Sequence, residues 1–196
     1  METHGFVLAG GRGRRLAADR PKASVAVAGR TLLERACGTL ASLAGRVVVI
    51  APEDIDLPLD PAHTRVHDEG QGPLAALVLA GNLWPARRLV VLAADLPLVD
   101  RDLLAALDAS REEAIAVAAT AQGVIQPLAL WLTLVGLHAL QQSHEHGERS
   151  LSRALEAIGA KLVPSVGLPG GEEAFLDVDT PEDLARMERT LSERAR

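Results

Sequence analysis

The 196-residue chain carries 26 acidic against 20 basic residues, a net charge of −6, and is 48% hydrophobic but only 2% aromatic. That length suits a single domain over residues 1–196 with an aliphatic core, and the acidic balance excludes a general nucleic-acid binder, which needs a broad basic face. Cys37 is the sole cysteine, so no internal disulfide and no cysteine zinc cluster can form.

The N-terminal apolar run is too short and glycine-broken for a signal peptide, and no apolar run is long enough to span a bilayer. The expectation is therefore a cytoplasmic protein with neither membrane nor nucleic acid as a partner.

In chain order, residues 5–10 read as a short buried strand, continuous in apolar character. Residues 31–43 have helical spacing, and Thr31 with Glu34 forms a capping-box pattern. Residues 46–51, RVVVIA, are a β-branched strand, 52–61 a proline- and aspartate-rich loop, and 64–67 another strand. Residues 72–83 predict a helix with Pro73 at its first position. Residues 88–94, RLVVLAA, predict a central strand, and 97–109 a turn and helix. Residues 114–120 and 124–131 predict two strands around Ala121-Gln122-Gly123. Helices are expected over 132–142 and 150–158, and strands over 161–166 and 175–178. Thr180 and Pro181 cap and open a last helix. This alternation predicts an α/β layered fold with a mainly parallel sheet, to which 114–131 adds an antiparallel pair. His144 and His146 sit in a polar stretch that reads as a solvated loop, because no further ligand set accompanies them.

Residues 8–22, LAGGRGRRLAADRPK, concentrate positive charge in a glycine-rich turn directly after the first strand. In parallel α/β folds ligands bind at the carboxyl edge of the strands, where this turn falls. Gly10, Gly11 and Gly13 allow close backbone approach and unusual dihedrals, and successive N–H groups in such a turn make an anion nest. Arg15 supplies a fork and Lys22 a point charge for phosphate. The Walker string GxxxxGK followed by Ser or Thr does not occur, and 11–16 break the GxGxxG pattern at its third glycine. A focused basic patch on an acidic protein suits a small polyanion such as a nucleotide. Asp95, ending the 88–94 strand, is placed to hold a magnesium ion, which takes one or two protein carboxylates beside substrate phosphates.

LAGGRGRRLAADRPK resembles the signature of nucleotidyltransferases that join an NTP to a phosphorylated acceptor. HDEGQGPLAAL at 67–77, AADLPLV at 93–99, QPLALW at 126–131 and FLDVDTPEDL at 175–184 resemble successive elements of the molybdenum cofactor guanylyltransferases. They stand in that family's order and span nearly the whole chain. The resemblance implies a three-layer, Rossmann-like α/β nucleotidyltransferase fold with helices on both faces of a twisted, mainly parallel sheet.

It also implies the reaction: GMP passes from GTP to molybdopterin, with Mg2+, and pyrophosphate leaves. Leu8, Ala9, Gly10, Gly11, Arg12 and Gly13 would contact the nucleotide, and Arg15 and Lys22 the triphosphate. Asp68 would read guanine, whose N1–H and 2-amino group suit a carboxylate, and Gly72 and Pro73 would open a helix facing the ligand. Asp95 would be catalytic together with Arg15 and Lys22, and would contact the nucleotide and bind metal; Asp179 would be a second metal ligand or, with Asp177, bind the acceptor. Further partners would be cofactor-insertion proteins and molybdoenzymes.

The chain departs from the family pattern at Ile50, where Asn is usual, at Ala76 in GPLAA, and at Gln126, where His is usual. A sibling transferase using CTP or another NTP on a pterin or sugar-phosphate-like acceptor, and a non-catalytic nucleotide-binding module, are the alternatives.

Overall fold

A computed structural model describes residues 2–11, 13, 16 and 20–194. In chain order it contains β1 (Thr3–Leu8), β2 (Ala26–Val27), β3 (Arg30–Thr31), α1 (Leu32–Ala41), β4 (Arg46–Pro52), β5 (Thr64–Asp68) and α2 (Pro73–Leu83). Then follow β6 (Arg88–Ala93), α3 (Arg101–Ala109), β7 (Ala116–Ala121), β8 (Val124–Thr133), α4 (Leu134–Glu145), α5 (Leu151–Ala157), β9 (Lys161–Pro164) and α6 (Pro181–Arg194).

Seven strands form one sheet in the order β5-β4-β1-β6-β8-β7-β9. β5, β4, β1 and β6 run parallel, β8 is antiparallel to both β6 and β7, and β9 runs parallel to β7. The fold is therefore the expected α/β arrangement, with the antiparallel pair in place.

Alternate residues along each strand feed two cores, as the two-residue period of a strand requires. Val7, Val49 and Leu92 meet Leu33 and Leu40 of α1 and Leu104 of α3 on one face. Phe6, Val48 and Val91 meet Leu77 of α2, Leu137 of α4 and Leu155 of α5 on the other. Helices thus cover both faces, which is why the inner strands are almost wholly aliphatic. A third cluster joins Met187 of α6 to Val27, Leu32, Leu98 and Val178.

Four stretches differ from the sequence expectation. α4 runs on to Glu145, so His144, expected in a loop, lies in the last turn of that helix. Residues 175–178 form no strand: a 3-10 turn over Gly171–Phe175 takes in the first of them, and the Val178 N–H donates to the Asp95 carbonyl at 3.1 Å rather than to a ladder. The strand expected over 161–166 stops at Pro164, which lacks the N–H to extend it, and a 3-10 turn over Ser165–Gly167 follows. The small β2–β3 hairpin was not anticipated; Ala28 and Gly29 turn it with φ of 46° and 75°.

Cys37 lies buried on α1, and burial pushes its thiol up from 9.0 to about 12, helped by the charges of Asp60 and Glu34. The unfolded chain loses this proton above pH 9 while the folded chain keeps it, so stability falls as pH rises from 9 towards 12. A disulfide dye at pH 8 should leave the native protein unlabelled and react once denaturant is added. Native labelling at the denatured rate would contradict this packing.

Candidate active site

β1 has β4 on one side and β6 on the other. The chain leaves β1 through α1 on one face and reaches β6 through α2 on the opposite face. Connections that diverge in this way leave a crevice at the carboxyl ends of the strands. The glycine turn starts there. The Ala9 N–H donates to the Ile50 carbonyl at 2.8 Å and the Ala94 N–H to the Leu8 carbonyl at 3.0 Å, so the first residues of the turn are clamped between β4 and β6.

The turn closes when the Lys22 N–H donates to the Gly11 carbonyl at 3.2 Å. Gly13 has φ +61°, and a Cβ there would lie 3.2 Å from the Lys22 Cα and N. Both the conformation and the space therefore call for glycine. Arg12, Arg14 and Arg15 lie outside the described residues.

A cleft of about 260 Å³ opens beside this turn. Leu8, Gly10 and Gly11 line it from the turn, Asp68, Gly72 and Pro73 from the β5–α2 connection, and Asp95 from the end of β6. Ala9 and Lys22 line a narrow adjoining recess together with Leu8, Gly11 and Asp95. Seven of the candidate site residues thus line one cavity. Asp68 Oδ1 accepts the Gly70 N–H at 3.2 Å, an Asx turn that fixes its carboxylate. Gly72, with φ 98°, caps α2, and Pro73 takes its first position, so the positive end of that helix borders the cleft.

Pro52, Gly70 and Leu128 also line the cleft and were not picked out from sequence. Leu128 arrives from β8, beside a register shift between Ala118 and Ala119 of β7 that leaves extra residues on β8. A bulge of this kind re-aims a side chain. Ile50 is 1% exposed, paired with Leu8 and Val66, and presents an apolar wall to the cleft.

The charged centre lies at the β6 end. Pro21 precedes one 3-10 turn, Lys22–Ser24, that carries Lys22 inward until only 6% of it is exposed. Its Nζ donates to Asp95 Oδ2 at 2.7 Å and to Asp179 Oδ1. The Val178–Asp95 backbone bond brings the 176–179 segment to this point. Burial and then the Asp179 charge raise the pKa of Asp177, with Lys22 opposing them.

Asp95 Oδ1 is buried with no hydrogen-bond partner among the described residues. A carboxylate oxygen of that kind suits a hard cation, and Asp95 and Asp179 already converge on one ammonium. Two carboxylates fit magnesium, which keeps most of its coordination for water and phosphate.

Residues 5–159 match the family described as the MobA-like NTP transferase domain. The molybdenum cofactor guanylyltransferase of Rhodobacter capsulatus is 34% identical over 210 residues, covering all of both chains. That of Cereibacter sphaeroides is 34% identical over 202 residues, covering 97% of this chain and 98% of that protein.

Among solved structures, molybdopterin-guanine dinucleotide biosynthesis protein A from Archaeoglobus fulgidus superposes with a TM-score of 0.76 at 21% identity, covering 97% of this chain and 99% of that one. The 2-C-methyl-D-erythritol 4-phosphate cytidylyltransferase of Thermus thermophilus gives 0.73 at 20% identity, covering 98% and 100%. Both share the fold. The cleft at the end of β1 and the end-to-end likeness to these relatives point the same way: the chain belongs to the MobA-like NTP transferase family and is a nucleotidyltransferase.

Proposed function

We propose that the chain transfers GMP from GTP to molybdopterin in the cytoplasm, with Mg2+ as cofactor, and releases pyrophosphate. The supporting observation is the convergence of the glycine turn, Asp68, the α2 N-terminus and Asp95 on one cleft. The names of the full-length relatives supply the acceptor.

Guanine lies against Ile50 and Pro52, and Asp68 accepts from its N1–H and 2-amino group. Backbone amides of the glycine turn and the Arg15 fork take phosphate oxygens. Lys22 reaches the same oxygens by leaving its carboxylate partners, a swing that its four-carbon stem permits. Asp95 and Asp179 would hold Mg2+, which would supply charge neutralisation on the triphosphate. An oxygen of the acceptor phosphate attacks the α-phosphorus and forms the new P–O bond. The α–β bridging bond breaks and pyrophosphate departs with the electron pair. Catalysis is then positioning and charge stabilisation, with no protein nucleophile. Asp177 serves the acceptor side, and the product passes to cofactor-insertion proteins and molybdoenzymes.

The direct test supplies molybdopterin, Mg2+ and each of GTP, CTP, ATP and UTP, and measures pyrophosphate and dinucleotide product. Turnover with GTP above the others is expected. Ile50 is the observation that favours a sibling base, and a preference for CTP would establish that reading instead. Absence of pyrophosphate with every base, while nucleotide still binds, would make the chain a binding module.

A further inference from the structure

Arg65 lies on β5, paired with Val49 of β4, and does not itself line the cleft. Its Nη2 donates to the carbonyl oxygens of Pro52 at 3.1 Å and Ile55 at 2.5 Å. The Ile55 N–H donates to the same Pro52 carbonyl at 3.1 Å. Two donors therefore pin Pro52 where the chain leaves β4.

The Pro52 ring sits between two glycines. A Cβ at Gly10 would come 3.3 Å from its Cδ, and one at Gly70 would come 3.9 Å from its Cγ. The ring thus fills the gap between the glycine turn and the Asp68 turn, and its position sets the width of the cleft. Arg65 Nε is buried and has no partner among the described residues. The two carbonyl contacts through Nη2 are therefore the hydrogen bonds that hold this side chain in place.

We propose that Arg65 is a specificity-determining positioning residue, which holds the Pro52 wall and thereby lets the cleft prefer one base over another. Ile50 and Pro52 offer no hydrogen bond from their side chains to a base edge, so this side of the cleft selects by shape. Selection by shape fails when the wall drifts. The inference rests on the reading that the cleft holds the nucleobase.

The test is calorimetric binding of GTP and ATP, each with Mg2+, to the full chain and to Arg65→Met, Arg65→Lys, Pro52→Gly and the Arg65→Met/Pro52→Gly double variant. Arg65→Met should weaken GTP about tenfold and lower the GTP-to-ATP ratio, as expected for a displaced wall. Arg65→Lys, whose ammonium can still donate to the carbonyls, should restore most of the ratio. The double variant should bind GTP no more weakly than Pro52→Gly alone, because both changes act through one wall.

An Arg65→Met protein with wild-type affinity and ratio, or effects that add in the double variant, would overturn the proposal. Should Arg65→Met not fold, Pro52→Gly still decides the matter: unchanged GTP affinity there removes the wall from recognition. A wild-type protein that binds neither nucleotide strikes the nucleotide reading itself. GTP binding with an indifferent Arg65 strikes the positioning role alone.

Discussion

Asp95→Asn should lower pyrophosphate release by about a hundred- to a thousandfold, the loss that follows when one preorganised charge-stabilising group leaves a reacting centre. Asparagine keeps the shape of the side chain and removes its charge. Lys22 keeps Asp179 as a partner, and the Asp95 backbone carbonyl still accepts from Val178, so the fold should survive. The loss is expected because Asp95 joins three features at one point. It follows the end of β6, lines the cleft, and carries a buried oxygen with no partner among the described residues. The assay runs at saturating GTP, Mg2+ and molybdopterin, with the melting temperature as a control. Turnover within about tenfold of wild type would remove Asp95 from the reacting centre.

Lys22→Met should lower the melting temperature by about 4–8 °C at pH 7, or about 2 kcal/mol for a chain of this size. Deleting one partner of a fully buried ion pair costs about 3–5 kcal/mol. The side chains of Asp95 and Asp179 are 24% and 40% exposed, so water screens part of that cost.

Burial alone draws the Lys22 pKa down, but the Asp95 charge and the hydrogen bonds to Asp179 and Asp95 outweigh it, and the net shift is upward from 10.5. The folded state therefore holds this proton more tightly than the unfolded chain. The stabilisation is complete below pH 10.5 and is lost as pH rises through the higher folded value. The gap between wild type and variant should persist through neutral pH and narrow in alkali. Magnesium should raise the melting temperature of the variant more than that of wild type, since Lys22 no longer competes for the two carboxylates. Equal melting temperatures at pH 7 would mean that the buried ammonium contributes nothing.

Much of the fold was legible because local chemistry and the tertiary pattern agree. Thr31 and Glu34 form the expected capping box, and Thr180 caps α6 with Asp183 returning the bond. The aliphatic runs at β4 and β6 became buried strands because helices cover both faces. Phe175-Leu176-Asp177-Val178 is apolar enough to read as a strand, but a strand exists only with a partner, and here the free N–H goes to Asp95. The β2–β3 hairpin was missed because two-residue strands carry no periodicity.

At the site, the residues gathered by β1, the β5–α2 connection and β6 were readable from motifs at strand ends. The contacts of Lys22 were not. Its carboxylate partners stand 73 and 157 positions away, a pairing that spacing along the chain does not encode. Leu128 was equally hidden, since its place depends on how β8 pairs antiparallel to β6.

The tie between Val178 and Asp95 gives the molecule a division of labour. The domain match ends at residue 159, before the segment that delivers Asp177 and Asp179. The cleft is built without that segment, whereas the carboxylate pair is completed by it, through the Val178–Asp95 backbone bond. On the proposed reading, side chains at 177 and 179 can therefore change while the contacts to the nucleotide base stay intact. If that segment meets the acceptor, as proposed, such a fold can keep one donor and adopt new acceptors by rewriting a short clasp near its C-terminal end.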